Sequence, residues 1–188
     1  QVLKESDRVG LAILHCDGVA WLRGQRSRGH WLAGLRQLCA ANHALSATSR
    51  DSEATGLAPL LAMLGRLKLE NTTLIFLSDW AGVTEADLTR LGYLQQHNDV
   101  LALHIADPLE STLSTTAADA SWVVGDGQYQ LNIAPHQIPV LDQGLAHQQQ
   151  LKKEQLLRLM ALKGLPLITL DTGGHHLARL INALGGDH

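Results

Sequence analysis

The 188-residue chain has little cysteine, few aromatic side chains and no long hydrophobic run. Its two cysteines, Cys16 and Cys39, lack C-x-x-C spacing and cannot build a disulfide framework. We therefore expect a cytoplasmic protein in which both cysteines are small buried side chains. The longest apolar stretches, residues 73–77 and 100–105, are far too short to span a bilayer, so we expect no membrane partner within this chain.

Positive charge is also scarce, since Lys and Arg number 15 against 18 acidic residues. No Lys/Arg-rich run is present, and nucleic acid is therefore not an expected partner. A phosphate-binding glycine loop is missing too, because Gly173-Gly174 is not followed by Lys-Ser/Thr. Ser78 lacks the G-x-S-x-G context of a serine nucleophile. These absences argue against nucleotide binding and against acyl-transfer chemistry.

Hydrophobic periodicity predicts alternating strands and helices. Residues 9–13 alternate and meet a second short strand, 19–22, across Asp17-Gly18, which predicts a hairpin. The rest of the chain contains unbroken apolar runs, which are typical of strands buried on both faces, and amphipathic helices. It also contains a second predicted hairpin around Gly125-Asp126-Gly127. The predicted strands span 73–77, 100–105 and 165–170, and the predicted helices span 28–42, 55–67, 84–94, 142–163 and 177–184. The pattern therefore predicts one α/β domain, 1–188, with a mostly parallel sheet flanked by helices.

Acidic residues follow the predicted strands at the edge where parallel sheets assemble ligand sites. These acids are Asp79, Asp107, Glu110 and Asp171. Carboxylates in such a place suit Mg²⁺ or Mn²⁺, but Asp after a strand also forms turns and helix caps. Thr55 opens a predicted helix, where its hydroxyl either caps the helix or reaches a metal, and capping is the commoner role. The ten histidines are scattered without zinc-ligand spacing.

The order of these parts resembles a von Willebrand factor A-like domain. The likeness is carried by Asp7-Arg8-Val9-Gly10-Leu11, by Thr55-Gly56-Leu57 and by the run from Leu74 to Ser78-Asp79. Asp107-Pro108-Leu109-Glu110 resembles, more specifically, the bacterial family of unknown function found beside MoxR-type AAA+ ATPases.

The resemblance implies a metal-ion-dependent adhesion site in which Thr55 and Asp79 are ligands. The Asp-x-Ser-x-Ser of the family's first strand is absent from these residues. The simplest expectation is that this strand and its helix lie upstream of Gln1, and the alternative is that this family member has lost the metal site. We expect Mg²⁺ or Mn²⁺ only in the parent protein and no metal bound to this chain, because two ligands do not satisfy a six-coordinate ion.

The family's first strand lies between the strand of Val9 and the strand of Leu74. Without it, two strand edges are unpaired, and we expect either that these two strands pair with each other or that the chain self-associates through the exposed edges.

The resemblance implies a non-catalytic interaction module, not an enzyme. It would act with a MoxR-type AAA+ ATPase and a client protein in the assembly or maturation of protein complexes. The alternative is a Mg²⁺-dependent phosphohydrolase that uses Asp79, Asp107 and Asp171 together.

Overall fold

The computed structural model describes residues 7–15, 18–44, 56–107, 122–125, 130–134, 138–174 and 176–183. Seven strands and five helices lie within these residues. In chain order they are β1 (Val9–His15), β2 (Gly18–Gln25), α1 (Arg28–His43), α2 (Ala58–Leu67), β3 (Thr73–Ser78), α3 (Glu85–Gln95), β4 (Asp99–Ala106), β5 (Trp122–Gly125), β6 (Gln130–Ile133), α4 (Ile138–Leu162), β7 (Leu167–Asp171) and α5 (His176–Ala183).

A three-stranded parallel sheet with the order β3-β4-β7 is the centre of the fold. Its register places Ile75 opposite Leu101, and Leu103 opposite Ile168. Parallel neighbours need crossover connections, and helices α3 and α4 lie in the two connections between these strands. The predicted α/β class, with a parallel sheet flanked by helices, is confirmed at this level.

One hydrophobic core lies between the sheet and its helices. Leu61 of α2 and Leu88 of α3 are buried in it, together with Phe76 of β3 and Met160 of α4. Complete burial of side chains of this size stabilises the fold by about 1.5–3 kcal/mol each. The leucine spacing predicted for α2 and α3 therefore identifies the residues that hold the layers together.

The first residues of three helices can be compared with the positions that the sequence predicted. Helix α3 begins after Thr84, as predicted, because Thr84 forms a capping box with Asp87. Helix α2 begins at Ala58 rather than at Thr55, and its first turn carries a proline, which has no N–H to leave unpaired. Helix α4 begins at Ile138, four residues before the predicted 142. Pro139 lies in its first turn, where a helix tolerates proline.

The β1–β2 hairpin forms a separate antiparallel sheet, and a second hairpin joins β5 to β6. Both predicted hairpins are present, but Gly18 and Gly125, which were predicted to lie in the turns, pair within β2 and β5. Helix α1 packs on the first hairpin, where its buried Gly34 approaches Leu22 closely. In the described residues β1 and β3 do not pair, so the expectation that these two strands close the sheet between them is wrong. Self-association through the edges remains a prediction.

Burial differs from the predicted pattern on β3. The side chains of Ile75 and Leu77 are 54% and 67% exposed, although an unbroken apolar run predicts burial on both faces. The reason is that the described residues cover only one face of β3: Phe76 lies on that face and is buried in the core, whereas Ile75 and Leu77 lie on the other face.

Helix α1 also buries less than its amphipathic spacing predicts. Trp31, Leu35 and Leu38 form the expected stripe, but all three remain exposed. Cys39, on the same helix, is exposed rather than buried, which corrects the expectation for this cysteine. Cys16 lies outside the described residues. The period of 3.6 residues identifies the helix but not how much of its stripe is covered.

No helix in the described ranges combines the length and the apolarity that a membrane crossing requires.

Candidate functional site

The strand-end acids lie at one edge of the parallel sheet. Asp79, Asp107 and Asp171 stand at or directly after the carboxyl ends of β3, β4 and β7, which are neighbours in that order. Because the strands are parallel, the three acids share the edge where ligand sites form in such sheets. Thr55 and Glu110, the other predicted site residues, lie outside the described residues.

The turn after β3 displays Asp79 to solvent. Oδ1 of Asp79 accepts the Ala81 N–H at 3.1 Å, and Oγ of Ser78 accepts the Trp80 N–H at 3.0 Å. Two overlapping side-chain turns of this kind replace backbone hydrogen bonds and hold the loop. Oδ2 of Asp79 has no hydrogen bond among the described residues. Asp79 is therefore both a turn former, as the plainer interpretation predicts, and an exposed carboxylate with an available oxygen.

Trp80, directly after Asp79, anchors this turn to β4. Its side chain is only 4% exposed, and its indole N–H donates to the Leu103 carbonyl of β4 at 3.1 Å. The ring centroid lies 6.4 Å from that of Phe76, with the planes tilted by 47°. Trp80 has φ 58°, a left-handed conformation that is unfavourable for a bulky residue. Its burial and its hydrogen bond offset that strain, so the position of Asp79 is fixed by an anchored neighbour.

Sequence reasoning missed Trp80. The signal is a large aromatic residue directly after the strand-end acid, in a chain with only four tryptophans.

Asp171 is already engaged by neighbouring groups. Its Oδ2 forms an ion pair with Arg179 of α5, and its Oδ1 accepts the Gly173 N–H at 3.1 Å. The carboxylate therefore forms a turn and fastens α5 to the end of β7. This is the turn-forming role that the sequence left open as the alternative to metal ligation.

Asp107 links the ends of β4 and β7. Its Oδ1 accepts the Thr172 hydroxyl at 3.3 Å, and the Thr172 N–H donates to the Ala106 carbonyl at 3.1 Å. The structure thus brings Asp107 beside the turn that begins at Asp171, and it leaves Asp79 on the other side of β4's end.

These acids do not assemble into a metal site by themselves. In the described part of the chain, no group of three His, Cys, Asp or Glu side chains lies close enough to hold a metal ion. Divalent cations of the magnesium type need about six oxygen ligands, of which Asp79 supplies one available oxygen. The described residues therefore do not fit a bound cation, and of the three described strand-end acids only Asp79 is an exposed carboxylate.

A hollow of about 380 Å³ lies at the opposite edge of the sheet. Its lining is polar and consists of Glu70, Asn71, Gln95, Gln96, His97, Asn98 and Asp99. The amide of Asn98 is fully used in structural hydrogen bonds, and Asp79, Asp107 and Asp171 are not among the residues that line this hollow. We place the candidate site at the carboxyl edge of the sheet because the exposed Asp79 lies there.

Comparison of the chain with protein-family models, with curated proteins and with solved structures finds no match. What the chain does is therefore inferred from its residues and their geometry.

Proposed function

We propose that the chain is a non-catalytic protein-interaction module of the MoxR-associated von Willebrand factor A-like kind. In this proposal it acts with a MoxR-type AAA+ ATPase in the assembly or maturation of protein complexes. The order of elements supports it: a hairpin, two helices, and then three parallel strands separated by helices. Thr55 and Asp79 remain the proposed ligands of an adhesion-type site in the parent protein.

The observation that carries the proposal is the presentation of Asp79. An anchored tryptophan beneath and two side-chain turns around it hold this carboxylate at the carboxyl edge of the sheet, exposed to solvent. A carboxylate held in a fixed position loses little conformational freedom on binding, so its contacts contribute more of their energy to affinity. This is suited to recognition of a partner's cationic group or of a metal that the partner helps to coordinate.

The alternative proposal, a Mg²⁺-dependent phosphohydrolase, requires Asp79, Asp107 and Asp171 to act on one metal centre. Asp171 is paired with Arg179, and no metal-holding group of three occurs among the described residues. The ion pair of Asp171 with Arg179 favours the interaction module over the hydrolase, because it engages one of the three carboxylates that the hydrolase requires.

The test is binding of a purified MoxR-type ATPase, measured by calorimetry with Asp79→Asn and Asp99→Asn as variants. Asp79→Asn removes the charge but keeps the oxygen that accepts the Ala81 N–H, so the turn survives. Asp99 is an exposed acid at the opposite edge of the same sheet and serves as the matched control. We expect Asp79→Asn to weaken binding by about tenfold or more, as for a charged contact within an interface, and Asp99→Asn to leave it unchanged.

Mn²⁺ and EDTA arms of the same experiment report whether a metal takes part. Equal affinities of the wild type and Asp79→Asn for the ATPase, or no binding by either, would contradict the proposal. Sustained hydrolysis of p-nitrophenyl phosphate with Mg²⁺, abolished by Asp79→Asn, would favour the hydrolase.

A further inference from the structure

Arginine is distributed unevenly along the chain. Residues 18–50 contain five arginines and no acidic residue, although acids outnumber Lys and Arg in the whole chain by 18 to 15. Of the residues described in the β1–β2 hairpin and α1, only Asp7 is acidic. A basic part within an acidic chain indicates an anionic partner for that part.

Pairing of β1 with β2 adds an arginine from a separate segment. The register places Val9 opposite Gln25, so Arg8 lies beside the carboxyl end of β2. A Cβ built on Gly24 would lie 3.6 Å from Cβ of Arg8. Arg8 and Arg23 are both exposed, and neither forms an ion pair within the described residues. The hairpin therefore brings two arginines with available guanidinium groups to the same end of its sheet.

Trp21 lies on the same face of the hairpin as Arg23. Leu22, between them, points to the other face, where it meets Gly34 of α1. The indole of Trp21 reaches across to Gly10 of β1, since a Cβ built on Gly10 would lie 3.3 Å from Cη2 of the ring. Trp21 is nonetheless 37% exposed. Its ring therefore packs on a glycine of the neighbouring strand and keeps part of its surface open to a ligand.

An exposed aromatic ring with arginines beside it is suited to single-stranded nucleic acid. Guanidinium groups bind phosphates through paired N–H donors, and unpaired bases stack on exposed aromatic side chains. An acidic peptide would pair with the arginines but offers no base to stack on the indole. The bases of a duplex are stacked on one another, so none of them is available to Trp21.

We propose that the surface formed by Arg8, Gly10, Trp21 and Arg23, the Trp21 surface, binds single-stranded nucleic acid. The two arginines contact phosphates, and one base stacks on Trp21. The sequence predicts no such partner because its arginines form no run, and only the pairing of β1 with β2 brings Arg8 beside β2.

The Trp21 surface goes beyond the proposed function. It lies on the hairpin, whereas Asp79 follows β3 of the parallel sheet. Binding of the ATPase and binding of nucleic acid are therefore separate measurements, and either can fail without the other.

The test uses the 188-residue chain and a fluorescein-labelled oligothymidylate. The oligonucleotide has about eight nucleotides, within the range that one single-strand-binding domain covers. We expect fluorescence anisotropy to show saturable binding at low salt. We also expect log K to fall against log salt concentration with a slope of about −1.4, as for two phosphate contacts on a single strand.

Two matched pairs of variants test the contacts. Arg23→Gln should reduce the salt slope by about 0.7, whereas Arg90→Gln, at an exposed arginine of α3, should leave it unchanged. Trp21→Leu should weaken binding by about fivefold or more, because a stacked base is lost. Trp31→Leu, at a tryptophan of α1 that is 40% exposed, should not weaken it. Trp21→Phe keeps an aromatic ring and should retain most of the affinity, which separates stacking from a purely structural role.

Four results would overturn the inference. The first is the absence of saturable binding at low salt. The second is equal loss of affinity in Trp21→Leu and Trp31→Leu. Equally tight binding of a duplex of the same length would show that phosphates alone are recognised. Equally effective competition by polyglutamate would identify an acidic polypeptide as the partner.

Discussion

Asn98 connects three parts of the molecule through one buried amide. Its Nδ2 donates to the Leu69 carbonyl at 2.8 Å and to the Leu94 carbonyl at 3.0 Å. Its Oδ1 accepts the Thr72 N–H at 3.1 Å. The side chain therefore joins the end of α3 to the connection between α2 and β3, and every one of these bonds replaces contact with water.

We expect Asn98→Ala to lower the free energy of unfolding by about 1–3 kcal/mol, because two carbonyls and one N–H lose their partner. Urea denaturation monitored by circular dichroism measures the change. Asn42→Ala, at an exposed position of α1, is the control and should stay within about 0.5 kcal/mol of the wild type. A loss of equal size in both variants would contradict this role for Asn98.

Asn98→Asp separates the shape of the side chain from its hydrogen-bonding chemistry. An ionised carboxylate still accepts the Thr72 N–H but faces two carbonyl oxygens without a proton to donate. We expect this variant to be less stable than the wild type at pH 7, and the difference to narrow at pH 4, where protonation restores one donor. A stability difference that is independent of pH would contradict the assignment of the amide as a donor.

No pattern in the sequence marks Asn98 for this role. Its bonds to Thr72 and Leu69 span 26 and 29 residues, so the partners meet only after the chain has folded.

At the scale of the element, the start of helix α3 is marked in the local sequence by a capping box. The Thr84 hydroxyl accepts the Asp87 N–H at 3.2 Å and donates to Asp87 Oδ2 at 2.7 Å. Asp87 Oδ2 in turn accepts the Thr84 N–H at 3.1 Å. The cap satisfies N–H groups that a helix start otherwise leaves unpaired, which explains why the sequence predicted this boundary correctly.

We expect Thr84→Ala to destabilise the protein by about 1 kcal/mol, as for other lost N-caps. Thr84→Ser keeps the hydroxyl and should retain most of the stability, which makes it the matched control. Thermal denaturation of both variants beside the wild type provides the measurement. Equal melting temperatures for the alanine and serine variants would show that the cap does not contribute.

Helix α1 and strand β3 show where local patterns stop being informative. A helical apolar stripe predicted α1 and an unbroken apolar run predicted β3, and both elements exist. Whether Trp31 or Leu77 is covered depends on which element packs against it, and that is set by the topology rather than by the local sequence. The engagement of Asp171 by Arg179 is similar, since it depends on how α5 packs on β7.

At the scale of the whole molecule, the described residues form three sheets, of which the β1–β2 hairpin and the parallel sheet share a core. From the hairpin, Leu14 packs partly buried against that core, whereas β3, β4 and the helices beside them contribute buried side chains. The α/β class and the common edge of the strand-end acids followed from the sequence, because continuous apolar runs separated by helices predict parallel strands. The separation of the hairpin from the parallel sheet did not follow from the sequence, because it depends on pairing between strands that are far apart in the chain.

This division predicts unequal local stability. We expect the amides of β1 and β2 to exchange through an opening at least about 1 kcal/mol less costly than that of β4, because fewer buried contacts are broken. Native-state hydrogen exchange at increasing urea measures both openings. A single opening free energy for all three strands would mean that the hairpin and the parallel sheet unfold as one unit.

Three of the four tryptophans lie on or beside the hairpin sheet and the parallel sheet and can serve as optical reporters, whereas Trp122 lies on β5. Trp80 lies beneath the Asp79 turn at 4% exposure, whereas Trp21 of β2 and Trp31 of α1 are 37% and 40% exposed. In a Trp122→Phe background, iodide should quench the emission from the hairpin side and spare the blue-shifted emission of Trp80. Fluorescence of the unlabelled protein can therefore follow the carboxyl edge and the hairpin separately. The emission wavelength that changes on binding shows at which of the two a ligand binds.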